Sequence, residues 1–259
     1  CGIFGYIGHQ NVHKTTLAGL KRLEYRGYDS SGLAGICNGE LHIHKERGKI
    51  AALMPYFEGE DVVEYELAIS HTRWATHGEP SQKNAHPHTN TTGTMALVHN
   101  GIIENYDNLR THLEEYGIEF KSDTDTEVLV QLISHLYQGD ILKAVQEALP
   151  MCQGAWAIAL IHKDHPGQII TAAQGSPLAI GVGNNEVFIS SDTNAFMTHT
   201  KNVFYVHDGE VAVITKDSYE VFDANAAQIS KETEKLEQEV TEAVKGNFDH
   251  FMLKEIHEQ

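Results

Sequence analysis

Cys1 carries two groups that can share one reaction, a thiol and, at residue 1, the α-amine. Cysteine thiols titrate near ~8.5 and α-amines near ~7.7–8.0, so the two can exchange a proton at neutral pH. Nucleophiles that use their own terminal amine form a recognised class. Direct transfer within one residue needs a tight, bent ring, so geometry favours a bridging water as the relay. A terminal cysteine is also what a cleavage scar or a lipid anchor leaves, but an anchor needs a flexible polar tether, and here "GIFGYIG" follows at once. Thiolate attack on a carbonyl requires donors aimed at the developing oxyanion. Asn100-Gly101, ending "TMALVHNG", offers a side-chain amide and a backbone N–H, although Asn-Gly is also a common turn. Arg73 in "SHTRWATHGEP" has the planar fork that grips a carboxylate, and its other reading is a surface or ion-paired arginine. Trp74 beside it is either a lid or core. Asp125, at a helix start, is either an N-cap or a partner for an ammonium group.

Other chemistries find less support. The histidine pairs in "HIH" and "HPH" lack an HExxH or CxxC companion, and Pro87 stiffens the second pair, so no metal is expected. "GSPLAIGVG" and "GIFGYIG" lack both the P-loop lysine and the GxGxxG order, and no cofactor is expected either. With 36 acidic against 19 basic residues the formal charge is -17, which repels phosphate backbones and anionic lipid. Neither nucleic acid nor membrane is an expected partner. Three scattered cysteines (Cys1, Cys37, Cys152) make no disulfide framework, and no apolar run has the length of a membrane span. The expectation is a soluble, cytoplasmic protein with reduced thiols.

The elements that must position these residues follow from apolar spacing. "GIFGYIG" and "SGLAGIC" predict buried strands whose glycines admit a close approach, with a helix in "KTTLAGLKRLEYRG" stopping at Gly27. "LHIHKE" and "ELAISHTR" predict strands, and the latter runs into the long polar loop "THGEPSQKNAHPHTNTTG". After the strand "TMALVHNG" come helices in "NYDNLRTHLEEYG", "SDTDTEVLVQLISHLYQG" and "DILKAVQEALP", the second opening on a Thr124/Glu127 capping box. Short strands fill the stretch from "GAWAIALIH" to "YEVFD", with "HDGE" as a hairpin signal. The stretch from Lys231 onward is charged and helical in pattern, and it ends without a cap, as in a chain cut from something longer. Strands, then helices, then strands in hairpin order predict an antiparallel α+β or layered fold rather than a βαβ array.

The ordered set Cys1-Gly2-Ile3, "LEYRGYDSSG" at 23–32, "HTRWATHG" at 71–78, "HNG" at 99–101, "TDTE" at 124–127 and "GSPLAIG" at 175–181 resembles the class II glutamine amidotransferases. Their glutaminase domain is an N-terminal-nucleophile fold. The resemblance implies a four-layered αββα sandwich of two antiparallel sheets and removal of an initiator methionine. It implies Cys1 as nucleophile, Asn100 and Gly101 as oxyanion hole, Arg73 as carboxylate clamp for L-glutamine and Asp125 as receiver of its α-ammonium. Trp74, Thr76, His77 and Gly78 belong to a loop that closes over glutamine, with Arg26 and His86 as nearby supports. No cofactor or metal is implied.

"EYRGYDSSG" and "HTRWATHG" are similar to the sugar-phosphate members of that family rather than to the phosphoribosyl-pyrophosphate members. This implies a second half of two sugar-isomerase domains, absent here, that uses the ammonia to turn fructose 6-phosphate into glucosamine 6-phosphate for hexosamine biosynthesis. The full-length protein would be a homo-oligomer. Residues 1–240 would form the glutaminase domain and 241–259 the start of a linker, and the chain by itself would hydrolyse glutamine only. The alternatives are the glutaminase domain of a phosphoribosyl-pyrophosphate-type enzyme and a non-catalytic glutamine-sensing module. Intact nucleophile and oxyanion donors speak against the sensor.

Overall fold

Hydrophobic alternation along the strands has somewhere to go on both faces, and this dictates the layering. The computed structural model describes residues 1–59 and 62–237. In chain order, the first half contains β1 (Gly2–Ile7), α1 (Val12–Arg22), β2 (Ser30–Cys37), β3 (Glu40–Arg47), β4 (Leu67–Arg73), β5 (His88–Thr89) and β6 (Met95–Ile103). Three helices follow, α2 (Tyr106–Glu115), α3 (Asp125–Leu136) and α4 (Ile141–Ala148). Then come β7 (Gly154–His162), β8 (Ile169–Gln174), β9 (Ala179–Val182), β10 (Val187–Ser190), β11 (Asn202–Tyr205), β12 (Val211–Ile214), β13 (Tyr219–Phe222), β14 (Gln228–Ile229) and β15 (Glu234–Lys235).

Among the described residues these strands form two antiparallel sheets. One has eight strands in the order β15-β11-β9-β10-β1-β4-β2-β3, and the other seven in the order β14-β13-β12-β8-β7-β6-β5. Successive side chains of a strand point to opposite faces. Ile3 and Ile7 of β1, Leu67 and Ile69 of β4, and Ala96 and Val98 of β6 therefore fill the space between the sheets. Their neighbours Phe4, Tyr6 and Ala68 face out, under α1. Met95 and Leu97 face the other way, under α2, α3 and α4. The result is the four-layered αββα sandwich, in which each fully buried Leu, Ile or Phe contributes about 1.5–3 kcal/mol.

Local details depart from the sequence reading in four places. The Thr124/Glu127 capping box is half formed. Thr124 Oγ1 accepts the Glu127 N–H as expected, but the Glu127 carboxylate takes the N–H groups of Lys121 and Ser122 instead of Thr124's. Helix α1 ends at Arg22 rather than at Gly27, and one 3-10 turn (Glu24–Arg26) follows. Gly27 is there for another reason: a Cβ would lie 2.7–2.8 Å from the backbone of Arg73 and Trp74. "HDGE" is a turn but not a hairpin, because β11 before it belongs to the first sheet and β12 after it to the second. It carries the chain across the sandwich. Finally, the helical reading from Lys231 fails where it can be compared, since Glu234–Lys235 is an edge strand paired with β11. The rest of that stretch, with the boundary expected at 240, lies outside the described residues.

Candidate active site

Alternation also decides which polar side chains enter the space between the sheets. Continuing the inward parity of β4 beyond Leu67 and Ile69 brings in His71 and Arg73, and that of β6 beyond Ala96 and Val98 brings in Asn100. In β1 the same parity puts Cys1 on the inner face. Gly2 pairs with Thr72 in the β1–β4 register, so Cys1 lies opposite Arg73 at the ends of adjacent strands. One mouth of the sandwich thus collects the residues whose chemistry the sequence suggested.

Cys1 is held at both functional groups. Its α-amine donates to the Arg26 carbonyl at 2.7 Å. Its Sγ accepts the Trp74 N–H at 3.2 Å, a contact that favours a thiolate, and lies 3.5 Å from the Trp74 carbonyl. Burial, with Arg26 adding and Asp29 opposing, pulls the amine down to about 6. At pH 7 roughly ten amines are then neutral for each one protonated, so a base stands beside the thiol. The Arg26 side chain turns away, donating to Tyr25 Oη at 3.1 Å and to Asp192 at 3.0 Å. Arg26 supports the site through its carbonyl. Of the other two cysteines, Cys152 is buried and its thiol pushed up to about 12, and Cys37 is a free thiol at the end of β2.

Arg73 is 3 % exposed, and its guanidinium meets carbonyls instead of a carboxylate. It donates to His77 O, to Gly78 O at 3.3 Å and to Glu79 O at 3.4 Å. Trp74 is 59 % exposed and edge-on to Tyr28. Thr76 and Gly78 are exposed and His77 half-buried, its ring edge-on to Tyr106. The loop is fastened from below by Asn84, which is fully buried and donates to Glu79 O at 3.1 Å and to the Asp123 carboxylate at 3.3 Å. Asp29 accepts the Ala75 N–H and so fixes the residue after Trp74.

On the facing sheet Asn100 and Gly101 end the inner run of β6. Gly101 has φ 105°, and a Cβ there would sit 2.1 Å from Ala155 O, so no other residue fits. Asn100 Oδ1 is 2.9 Å from His71 Nε2. Asp125 is the first residue of α3, with Thr124 rather than Asp125 as the N-cap. Its Oδ2 accepts the Ile103 N–H at 2.9 Å, two residues beyond Gly101. His86 lies deeper than a substrate contact: its Nδ1 accepts the His99 N–H at 3.3 Å and its Nε2 lies 3.3 Å from Thr126 Oγ1. A groove of about 590 Å³ lined by Gly175–Leu178 and Tyr205–Asp208 adjoins Gly101 through Ser176, but neither Cys1 nor Arg73 lines it. Among the described residues no cluster of His, Cys, Asp and Glu could hold a metal ion, and no helix is long and apolar enough to cross a membrane.

This geometry brings together a thiol beside an α-amine, a buried guanidinium, a side-chain amide next to a glycine N–H, and a carboxylate. Residues 71–198, from the inner end of β4 onward, match the glutamine amidotransferase domain. The chain carries a glutamine amidotransferase domain. It is 46 % identical over 259 residues to a glutamine–fructose-6-phosphate aminotransferase (isomerizing) of Caldanaerobacter subterraneus, covering all of this chain and 42 % of that protein. An enzyme of the same name from Aquifex aeolicus is 45 % identical, with 44 % of it covered. The chain thus spans less than half the length of these relatives. Among solved structures, the glutamine phosphoribosylpyrophosphate amidotransferase of B. subtilis matches 86 % of this chain and 49 % of its own, with a TM-score of 0.75 and 29 % identity.

Sequence reasoning missed three residues of this candidate site. His71 carried a signal, sharing the inward parity of Arg73 two positions earlier in the same strand. Asp29 lay inside "YDSSG", where nothing local tied it to Ala75. Asn84 sat unmarked in a polar loop, because its contacts with Glu79 and Asp123 depend on the folded chain.

Proposed function

We propose that this domain hydrolyses L-glutamine to L-glutamate and ammonia through a γ-glutamyl thioester on Cys1. The observation that carries the reading is the pairing at residue 1 of a thiol that accepts a backbone N–H with an amine held largely unprotonated. The amine takes the thiol proton through a water, and Sγ bonds to the glutamine side-chain carbonyl carbon. The oxygen takes up the electron pair and is met by Asn100 and the Gly101 N–H. Collapse of this intermediate breaks the C–N bond, and the proton held on the amine leaves with the nitrogen as ammonia. Water, deprotonated by the same amine, then attacks the thioester, releasing glutamate and restoring the thiol. Arg73 receives the α-carboxylate in exchange for the loop carbonyls, and the Asp125 carboxylate receives the α-ammonium. Trp74, Thr76, His77 and Gly78 cover the bound amino acid. Holding both ends of the zwitterion decides which carbonyl meets sulfur.

Identity to the isomerizing aminotransferases supports the further reading that the ammonia serves synthesis of glucosamine 6-phosphate from fructose 6-phosphate in a longer, homo-oligomeric cytoplasmic protein. Residues 1–240 then form the glutaminase part. The test is ammonia release from glutamine by the wild type and by Cys1→Ala, with an intact-mass spectrum after exposure to a glutamine-mimicking electrophile. Turnover lost in Cys1→Ala and an adduct mapped to residue 1 are expected. Equal rates in the two proteins, or full activity with a blocked α-amine, would overturn the mechanism.

A further inference from the structure

A carboxamide that must present N–H to an oxyanion has a weakness: its oxygen and nitrogen are nearly the same size, and rotation by half a turn exchanges them. An inverted Asn100 would aim a lone pair at the developing negative charge and repel it. Something has to choose the orientation. The structure records one hydrogen bond to the Asn100 side chain, from His71 Nε2 to Oδ1 at 2.9 Å, and Nδ2 has no partner among the described residues. An amide oxygen only accepts, so Nε2 carries the proton and Nδ2 is left for the substrate.

We infer that His71 is the positioning residue of the oxyanion site: its Nε2–H holds Asn100 Oδ1 and so keeps the amide N–H groups turned toward the substrate. The inference rests on the glutaminase reading above. Three further observations support it. His71 is fully buried, and burial, aided by the charges of the Cys1 amine, His99 and Arg73, holds the imidazole well below its ordinary range. A neutral ring has one N–H, and its other nitrogen, Nδ1, is buried without a hydrogen-bond partner among the described residues. Third, the ring is packed against a second ring. It is stacked on His86 with centroids 4.0 Å apart and planes 14° from parallel, and His86 is itself tied to His99 and Thr126. The stack is admitted by Gly32, which pairs with His71 across β2–β4, because a Cβ there would lie 2.0 Å from His86 O.

The experiment compares His71→Leu, His71→Asn and His71→Gln with the wild type in steady-state glutaminase kinetics. Glutamine places an N–H donor near the position of imidazole Nε2, whereas asparagine stops short and leucine has none. We expect kcat to fall about 10- to 100-fold in the Leu and Asn variants, a part of the ~10²–10³ lost when an oxyanion donor is removed outright. KM should stay within about threefold, and Gln should recover most of the rate. Alkylation of Cys1 by iodoacetamide forms no oxyanion, so its rate should be unchanged in all three. Wild-type kcat in His71→Leu, an alkylation loss as large as the kcat loss, or a folded Gln variant no faster than Asn would each overturn the inference. If the Leu variant does not fold, the Gln and Asn pair decides. A Cys1→Ala protein that still turns over glutamine would instead sink the underlying glutaminase reading, leaving the two failures distinct.

Discussion

The proposed carboxylate end and the proposed oxyanion end of the site are built from different materials. Arg73 is buried, but its donors rest on backbone carbonyls of His77, Gly78 and Glu79, a segment that reaches the surface. Asn100 rests on His71, which is fully buried and stacked on a second buried ring. The first arrangement is exchangeable, because a substrate carboxylate can replace carbonyls that then return to water. The second is not, since moving it means opening the core between the sheets. In the proposed mechanism binding falls to contacts that can be traded and bond-making to contacts held fixed, as preorganised stabilisation of charge requires.

Removing one element from each end should separate the two in kinetics. Asn100→Ala takes away a fixed donor, so kcat for ammonia release should fall about 10²–10³-fold with KM nearly unchanged. A rise in KM at intact kcat would mean the two ends are not distinct. Arg73→Met removes charge-assisted hydrogen bonds worth about 1.5–3 kcal/mol each, and KM should rise about 10- to 100-fold while kcat changes less. The amine belongs to the fixed end and adds a pH signature. Below its value of about 6 it is protonated and cannot accept the thiol proton, so activity should climb with pH through about 6 and fall roughly tenfold per unit below it. A pH–rate profile flat from 5 to 7, taken over ~2 units, would detach the amine from the chemistry. The smallest effect is expected at the loop's anchor. Asn84→Ala loses the bonds to Glu79 and Asp123, and a several-fold (about 3–10) rise in KM with kcat preserved should follow.

Much of this was legible in the chain. Apolar runs predicted β1, β2, β4 and β6, alternation predicted β3, and helical spacing predicted the three consecutive helices, because burial leaves a trace in the residue pattern. Local pattern failed where the deciding partner is distant in sequence. Gly27 reads as a helix stop and is in fact a close approach to Arg73 and Trp74. "HDGE" has the composition of a hairpin, but which sheet the next strand joins depends on which edge is open, and no turn residue encodes that. The charged run at 231–237 has helical spacing, yet its strand exists because β11 offers an unpaired edge. At the site, the roles of Cys1, Arg73, Asn100, Gly101 and Asp125 were suggested by side-chain chemistry and family resemblance together. His71, Asp29 and Asn84 were not, because they act on other protein atoms: the first two sit inside quoted motifs without a role of their own, and Asn84 lies outside every motif.

Residue types and their two-fold and helical periodicities therefore determined the layers, the inward parity of Cys1, Arg73 and Asn100, and the glycine at 101, all set by chain geometry within a few residues. Only the tertiary structure decided that Arg73 rests on loop carbonyls, that the Cys1 amine is buried enough to lose its proton near neutrality, and that a stacked pair of histidines stands behind the oxyanion amide. Those properties come from desolvation and from contacts between strands far apart in the chain, and neither is a function of local sequence.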